Sequence, residues 1–286
     1  MFGSGDYTYD VVEDWWTPPN GWKFGVITGV ACDSEDRVYV YSRSDHPMVV
    51  HDRDGAFLTS WGEGVLNDSH GILIDEDDFV YCVERQTHCM YKLTRDGELV
   101  LTVGAPDRPG PEGEPFNLPT DIDFDSQGFM YISDGYGNRR VHKFTPDGSL
   151  IKSWGEDGTG PGQFVLPHCV RIDKDDRVLV ADRANDRIQF FNTDGAFTHE
   201  WTGLHWPDGI YIDDTNEVVY VAEHGFRVSI WSFDGERITE WGGGESGSAP
   251  GSFTWRPHGI WVDSHGDVYV TEVEGGPRIQ KFARRR

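Results

Sequence analysis

A short segment recurs six times along the 286-residue chain: ITGVACD at 27–33, SHGILID at 69–75, PTDIDFD at 119–125, PHCVRID at 167–173, PDGIYID at 207–213 and PHGIWVD at 257–263. Each copy leads into a run of alternating β-branched and aromatic residues: VYVYSR, VYCVER, MYISDG, VLVADR, VYVAEH and VYVTEV. A second run follows, and then, in several copies, a DG turn and a third run that ends at or near Trp-Gly, as in RDGAFLTSWG, PDGSLIKSWG and FDGERITEWG. Alternation with a period of two, broken by DG turns, specifies antiparallel strands joined by tight hairpins. Four strands recurring every ~40–50 residues is the period of a propeller blade. No stretch holds a helical period, so the sequence predicts an all-β, six-bladed β-propeller with blades starting near 27, 69, 119, 167, 207 and 257.

The sixth copy stops at RIQKFARRR, without a DG turn or outer strand, whereas YTYDVVEDWW at 7–16 resembles that missing strand and precedes the first copy. Residues 7–16 are therefore expected to complete the last blade, joining the two chain ends and removing an open sheet edge. The whole of 1–286 then forms one propeller domain, with 104–117 and 155–165 as connections between blades.

A hydrophobic fraction of 37% and 11 tryptophans suit a core spread between packed blades. The net charge of −24 disfavours nucleic acid and anionic membrane surfaces as partners. It selects no substrate, because many of the carboxylates belong to aspartates in turns. No apolar run reaches membrane-spanning length, and MFGSGDYTYD lacks the features of a secretory signal. Four cysteines, Cys32, Cys82, Cys89 and Cys169, are too sparse for a disulfide framework. Cys82 and Cys89 flank one hairpin and could pair, but free thiols are expected. These features point to a cytoplasmic protein acting as a monomer or weak oligomer.

The second position of the six recurring segments reads Thr28, His70, Thr120, His168, Asp208 and His258. Histidine occupies alternate copies, which in a closed ring places three imidazoles about 120° apart around the axis. Three converging imidazoles with an open position make the arrangement of catalytic zinc. One histidine after a proline could merely cap a loop; capping gives no reason for threefold placement. The remaining histidines (His46, His51, His88, His142, His199, His205, His224 and His265) are expected at the surface or rim, with His224 the exception to watch. The repeat frame adds Arg43, Arg85, Arg183 and Tyr136 to the histidine face, a set suited to an anionic substrate. Tyr136, near a cation and arginines, is expected to have a depressed pKa and to act as general base. Alternatively, the arginines pair with neighbouring Asp45, Glu84, Asp182 or Glu223.

The segments SDGYGNRRVHKFTPDGSLIKSWGEDGTGPGQFVLPH (133–168) and ADRANDRIQFF (181–191) resemble the peptidyl-α-hydroxyglycine α-amidating lyases, peptidylamidoglycolate lyases built on an NHL-repeat propeller. The resemblance continues through 28–46, 69–75, 118–122 and 256–260. It implies one axial zinc on His70, His168 and His258, a catalytic Tyr136, and active-site arginines Arg43 and Arg183. The family's structural calcium would fall on the carbonyls of Val30 and Ile72, but its aspartate position is Gly259 here. A family disulfide cysteine is replaced by Gly137, in keeping with a reducing compartment. The family's methionine beside the last ligand is Arg256, which is expected to make the pocket more polar and to disfavour an apolar peptide side chain. With no monooxygenase domain in the chain, hormone amidation is not the expected task.

The resemblance implies cleavage of a carbinolamide to an amide and glyoxylate. The expected function is a zinc-dependent lyase acting on a small, carboxylate-bearing α-hydroxylated amide. Tyr136, Arg43 and Arg183 would be catalytic, and Arg85, Arg256, Asp208 and His224 would contact substrate. Zinc-dependent hydrolysis of a lactone or amide, with Asp208 as base, is the enzymatic alternative. A non-catalytic propeller that binds a protein or peptide is the other.

Overall fold

The computed structural model describes residues 1–110 and 116–286; the central part of the 104–117 connection lies outside the described residues. Six antiparallel sheets form the blades of a propeller. Their innermost strands are Ile27–Cys32, Ser69–Ile74, Asp121–Phe124, Pro167–Ile172, Pro207–Asp213 and Arg256–Val262, each opening within or next to one recurring segment. Neighbouring inner strands pack together around the axis, and at Gly209 and Gly259 a Cβ would lie 2.3 Å and 2.8 Å from the backbone carbonyls of His258 and Thr28. The apolar side chains of adjacent blades form the core between sheets, including the fully buried Tyr39, Tyr131, Tyr220 and Tyr269.

The sequence punctuation has a direct packing role. Each DG turn closes the hairpin between the third and fourth strands, with glycine in the left-handed region and a bulge beside it. The tryptophan ending one blade's outer strand lies on the turn glycine of the next. A Cβ on Gly97, Gly195 or Gly235 would lie 2.8, 2.6 and 2.6 Å from Trp61, Trp154 and Trp201. A side chain at these glycines would wedge adjacent blades apart.

The aspartate ending each inner segment builds the turns on the opposite face. Asp33 accepts the amides of Glu35 and Arg37, and Asp75, Asp125, Asp173 and Asp263 repeat the pattern two and four residues on. Much of the negative charge is thus consumed in local structure.

The termini close the ring with one change to the expected boundaries. Tyr7–Val12 pairs with Arg278–Arg284, and a further short strand, Phe2–Ser4, lies outside it, making the sixth blade five-stranded. The strand ends at Val12 because Asp14 turns through a left-handed conformation (φ 54°). Trp15 and Trp16 then cross to the first blade, where their indole nitrogens donate to Arg53 O (2.9 Å) and His51 Nε2 (3.1 Å).

Tyr9 on the closing strand is fully buried, with its ring 5.2 Å from that of Trp241 and its hydroxyl 3.2 Å from that of Tyr220. Tyr9→Ala should cost about 3–5 kcal/mol and lower the melting temperature by roughly 10 °C. Calorimetry showing a shift below about 2 °C would mean that the terminal strand contributes little to closure.

Candidate metal centre and active site

His70, His168 and His258 lie at the mouths of blades two, four and six, where the ladder register slips. The pairing steps from Ser69 to Ile72, from Pro167 to Cys169 and from Pro257 to Ile260. A bulge at this point re-aims the side chain away from the ladder, here toward the axis. The three rings are buried, with centroids 4.7, 4.9 and 5.1 Å apart. One ligand atom from each falls within 4.8 Å of the others.

The alternate copies without histidine supply the anchors. Nδ1–H of His70 donates to Thr120 O (2.7 Å) and that of His258 to Thr28 O (2.7 Å). His168 Nδ1 lies 2.5 Å from Asp208 Oδ1 and 3.1 Å from Asp208 O. A carbonyl can only accept, so each Nδ1 carries the proton and each Nε2 keeps its lone pair for a metal. Burial lowers the pKa of all three, that of His258 to about 3, so the rings are neutral donors. The donor set fits a divalent metal such as zinc.

Tyr136 enters from blade three, with its hydroxyl 3.2 Å from His168 Nε2 and 3.4 Å from His70 Nε2. Arg85 and Arg183 flank its ring, their guanidinium carbons 5.5 and 5.7 Å from the centroid. Contrary to the expected depressed pKa, burial pushes the phenol up; Arg183 and Arg85 oppose that rise.

The arginines are paired, but not with Asp45, Glu84, Asp182 or Glu223. Asp68 bridges Arg43 (3.0 Å) and Arg85 (2.8 Å), and Arg43 also donates to Ser69 O (3.1 Å). Arg183 lies 3.3 Å from Asp208. Glu84, Asp182 and Glu223 are buried and accept amides of the loops that lead into the inner strands, such as Asn67, Val165 and His205. Three arginines share two carboxylates, which leaves one positive charge for an anion.

Asp208 is fully buried against His168, Arg183 and His224 Nε2. Burial alone would raise its pKa, but the Arg183 guanidinium and the imidazoles around it favour the carboxylate and hold it low. Its enclosure and its contact with His168 Nδ1 suit an anchor of that ring better than the base of a hydrolytic reaction. His224, expected to contact substrate, is buried with its Nε2 packed against Asp208 Oδ2.

Arg256 sits at the rim with its Nε 2.5 Å from Glu274 Oε2 and its guanidinium over Trp206 and Phe226. Its charge is neutralised and its flat faces are stacked, so it does not make the pocket more polar as the substitution implied.

His51, His88 and His142 are buried rather than at the surface; His142, for example, bridges Asp134 (3.2 Å) and Ser153 (2.7 Å) inside blade three. All four cysteines are free and buried, and Cys82 faces Tyr91 rather than Cys89. At the resemblance's calcium position, Gly259 offers no carboxylate, and Thr271 Oγ1 accepts its N–H (2.8 Å) and donates to Thr28 O (3.2 Å). In the axial channel below the histidines, Arg171 pairs with Asp121 (2.5 Å). These residues do not fit that calcium site.

Replacing His70, His168 or His258 by alanine should abolish stoichiometric zinc binding. Asp208→Asn should weaken it by about 10–100-fold, the usual effect of removing a ligand's anchor. Chelator competition checks this; an unchanged affinity in Asp208→Asn would remove Asp208 from the metal's support.

The depressed histidine pKa values also set a pH dependence for the metal-free protein. The unfolded chain binds protons near pH 6.5 that the folded rings reject. This contribution is complete above about pH 6.5 and is lost as pH falls toward about 3. His258→Gln should flatten the fall in urea stability between pH 7 and 5; identical slopes would refute the assignment.

Residues 164–191 match the NHL repeat family. NHL repeat-containing protein 3 of Mus musculus is 32% identical over 93% of this chain and 82% of its own length. Peptidyl-alpha-hydroxyglycine alpha-amidating lyase 1 of Drosophila melanogaster is 27% identical over 65% of this chain, and the match spans 38% of that protein. Among solved structures, the gluconolactonase XC5397 of Xanthomonas campestris superposes with a TM-score of 0.69 over 92% of this chain and 87% of its own, at 15% identity, a likeness of fold. No helix among the described residues is long and apolar enough to cross a membrane. With a six-bladed ring and a relative of this similarity along nearly the whole chain, the protein belongs to the NHL-repeat propeller family that includes NHL repeat-containing protein 3.

Proposed function

We propose that the protein is a zinc-dependent lyase that cleaves the C–N bond of a carboxylate-bearing carbinolamide to give an amide and glyoxylate. The observation that carries this reading is the Tyr136 hydroxyl, set 3.2 and 3.4 Å from two of the three free imidazole nitrogens and flanked by Arg85 and Arg183. The similarity to an amidating lyase supports the reaction class.

His70, His168 and His258 would hold the metal. A zinc ion there supplies Lewis acidity to the substrate hydroxyl and lowers its pKa, as it does for water. Tyr136 in its ionised form removes the hydroxyl proton; burial disfavours that form, and Arg183 and Arg85 favour it. The oxygen lone pair then closes to C=O as the C–N bond breaks, and the departing amide nitrogen regains a proton from Tyr136. Arg43, Arg85 and Arg183 hold the carboxylate with the positive charge that Asp68 and Asp208 leave uncompensated.

Hydrolysis of a lactone or amide is the second reading, because three histidines leave a position for water. With Asp208 enclosed, Tyr136 would have to serve as base there too. A binding scaffold would have no use for three neutral imidazoles anchored through Nδ1.

Zinc-loaded protein should release glyoxylate from α-hydroxyhippurate. Tyr136→Phe should retain zinc and lose about 10²–10⁴-fold in turnover, and Arg183→Ala should raise KM strongly. Ring-opened lactone without glyoxylate would favour the hydrolase, and absence of zinc would favour the scaffold. A Tyr136→Phe variant with near wild-type turnover would remove Tyr136 from the reaction.

A further inference from the structure

Trp206 stands at the mouth of the site on blade five and remains 41% exposed, whereas Trp61, Trp201, Trp231 and Trp241 are buried. Its backbone is left-handed (φ 55°), a strained conformation for a bulky residue. Two hydrogen bonds hold it there: its N–H donates to Asp186 Oδ1 (2.8 Å), and its carbonyl accepts the His224 N–H (2.9 Å). Apolar collapse does not account for an exposed indole fixed in this way.

The ring is also braced. The Arg256 guanidinium carbon lies 5.0 Å from the Trp206 ring centroid and 5.7 Å from that of Phe226, while Arg256 Nε meets Glu274. Phe226 (φ 58°) and Glu274 (φ 75°) are left-handed as well, so the three side chains that hold the guanidinium all stand on strained backbone; Arg256 also donates to His224 O (3.4 Å). Glu274 neutralises the guanidinium, leaving a flat, uncharged ledge with aromatic character rather than an anion site.

The ledge is connected to the metal centre. Ring contacts of 6.2 Å from His258 to His224 and 6.3 Å from His224 to Trp206 lead outward from the ligands. Arg43, Arg85 and Arg183, on blades one, two and four, draw a carboxylate toward the other side of the mouth. A substrate held by its carboxylate there and by its hydroxyl at the axis must direct its acyl group toward blades five and six. In that direction an aromatic acyl group extends one ring further than acetyl and presents a flat face to match the ledge.

We propose that Trp206, braced by Arg256, is the specificity subsite for the acyl half of the substrate and selects a flat aromatic acyl group. This rests on the carbinolamide-lyase reading, and the test separates the two. Initial rates of glyoxylate release are compared for α-hydroxyhippurate and N-acetyl-α-hydroxyglycine in the zinc-loaded wild type, Trp206→Ala and Trp206→Leu. Calorimetric titration with the unreactive analogues hippurate and N-acetylglycine runs in parallel. Zinc content and melting temperature verify that each variant is folded.

The wild type should prefer the benzoyl substrate by roughly tenfold in kcat/KM, mainly through KM, and bind hippurate roughly tenfold more tightly than N-acetylglycine, the scale of one aromatic contact. Both preferences should fall to near unity in Trp206→Ala and Trp206→Leu. Glyoxylate release with the preference intact in both variants would overturn the subsite and leave the lyase standing. No glyoxylate from either substrate, with a hippurate preference that vanishes in the variants, would overturn the lyase and support the subsite.

Discussion

The hydrogen bonds from the imidazole Nδ1 atoms to the next blade organise both the ring and its site. His70 reaches the carbonyl of Thr120, His168 reaches Asp208, and His258 reaches Thr28, so each contact ties an even-numbered blade to the odd-numbered blade that follows. The same contact fixes the tautomer, aims Nε2 at the axis and joins two sheets that share no ladder. It requires the inner strands to approach closely, and Gly71 and Gly259 permit that approach because a Cβ there would lie 2.6 and 2.8 Å from the accepting carbonyls of Thr120 and Thr28. A propeller with wider strand spacing could not hold the rings in this geometry.

The third anchor differs from the other two. Thr120 and Thr28 offer neutral carbonyls, whereas Asp208 adds a buried carboxylate, which raises the electron density on His168 and needs cations around it. Arg183 supplies that charge, and His224 packs against the other carboxylate oxygen. Arg183 consequently has two allegiances, to Asp208 and to the ring of Tyr136, and so couples the support of the metal to the reacting hydroxyl. On the opposite side Asp68 performs a similar service for Arg43 and Arg85, keeping like charges close together without cancelling them.

Buried carboxylates have separate duties on the two faces. Those at the ends of the second strands, such as Glu84 and Asp182, secure the loops that lead into the inner strands by accepting their amides. Those ending the inner strands, such as Asp33 and Asp125, form the turns on the far face. In sequence Glu84 and Asp182 stand beside Arg85 and Arg183 and look like their partners. Backbone direction makes them something else, because adjacent residues on a strand point to opposite sides.

The repeat by itself determined the propeller, the number of blades and the closing strand, since period-two alternation and DG turns leave few other ways to bury these residues. It also singled out the three histidines, because equivalent positions in a ring face a common axis. Asp68 was invisible: it lies in one blade and has no counterpart in the repeat. The anchors at Thr28 and Thr120 were hidden for a different reason, since a backbone carbonyl leaves no mark on residue identity. The burial of His142, the enclosure of Asp208 and the stacking of Arg256 on Trp206 were decided only by the tertiary structure. Each depends on which neighbouring blade comes within a few ångströms, and that distance is set by packing across the whole ring.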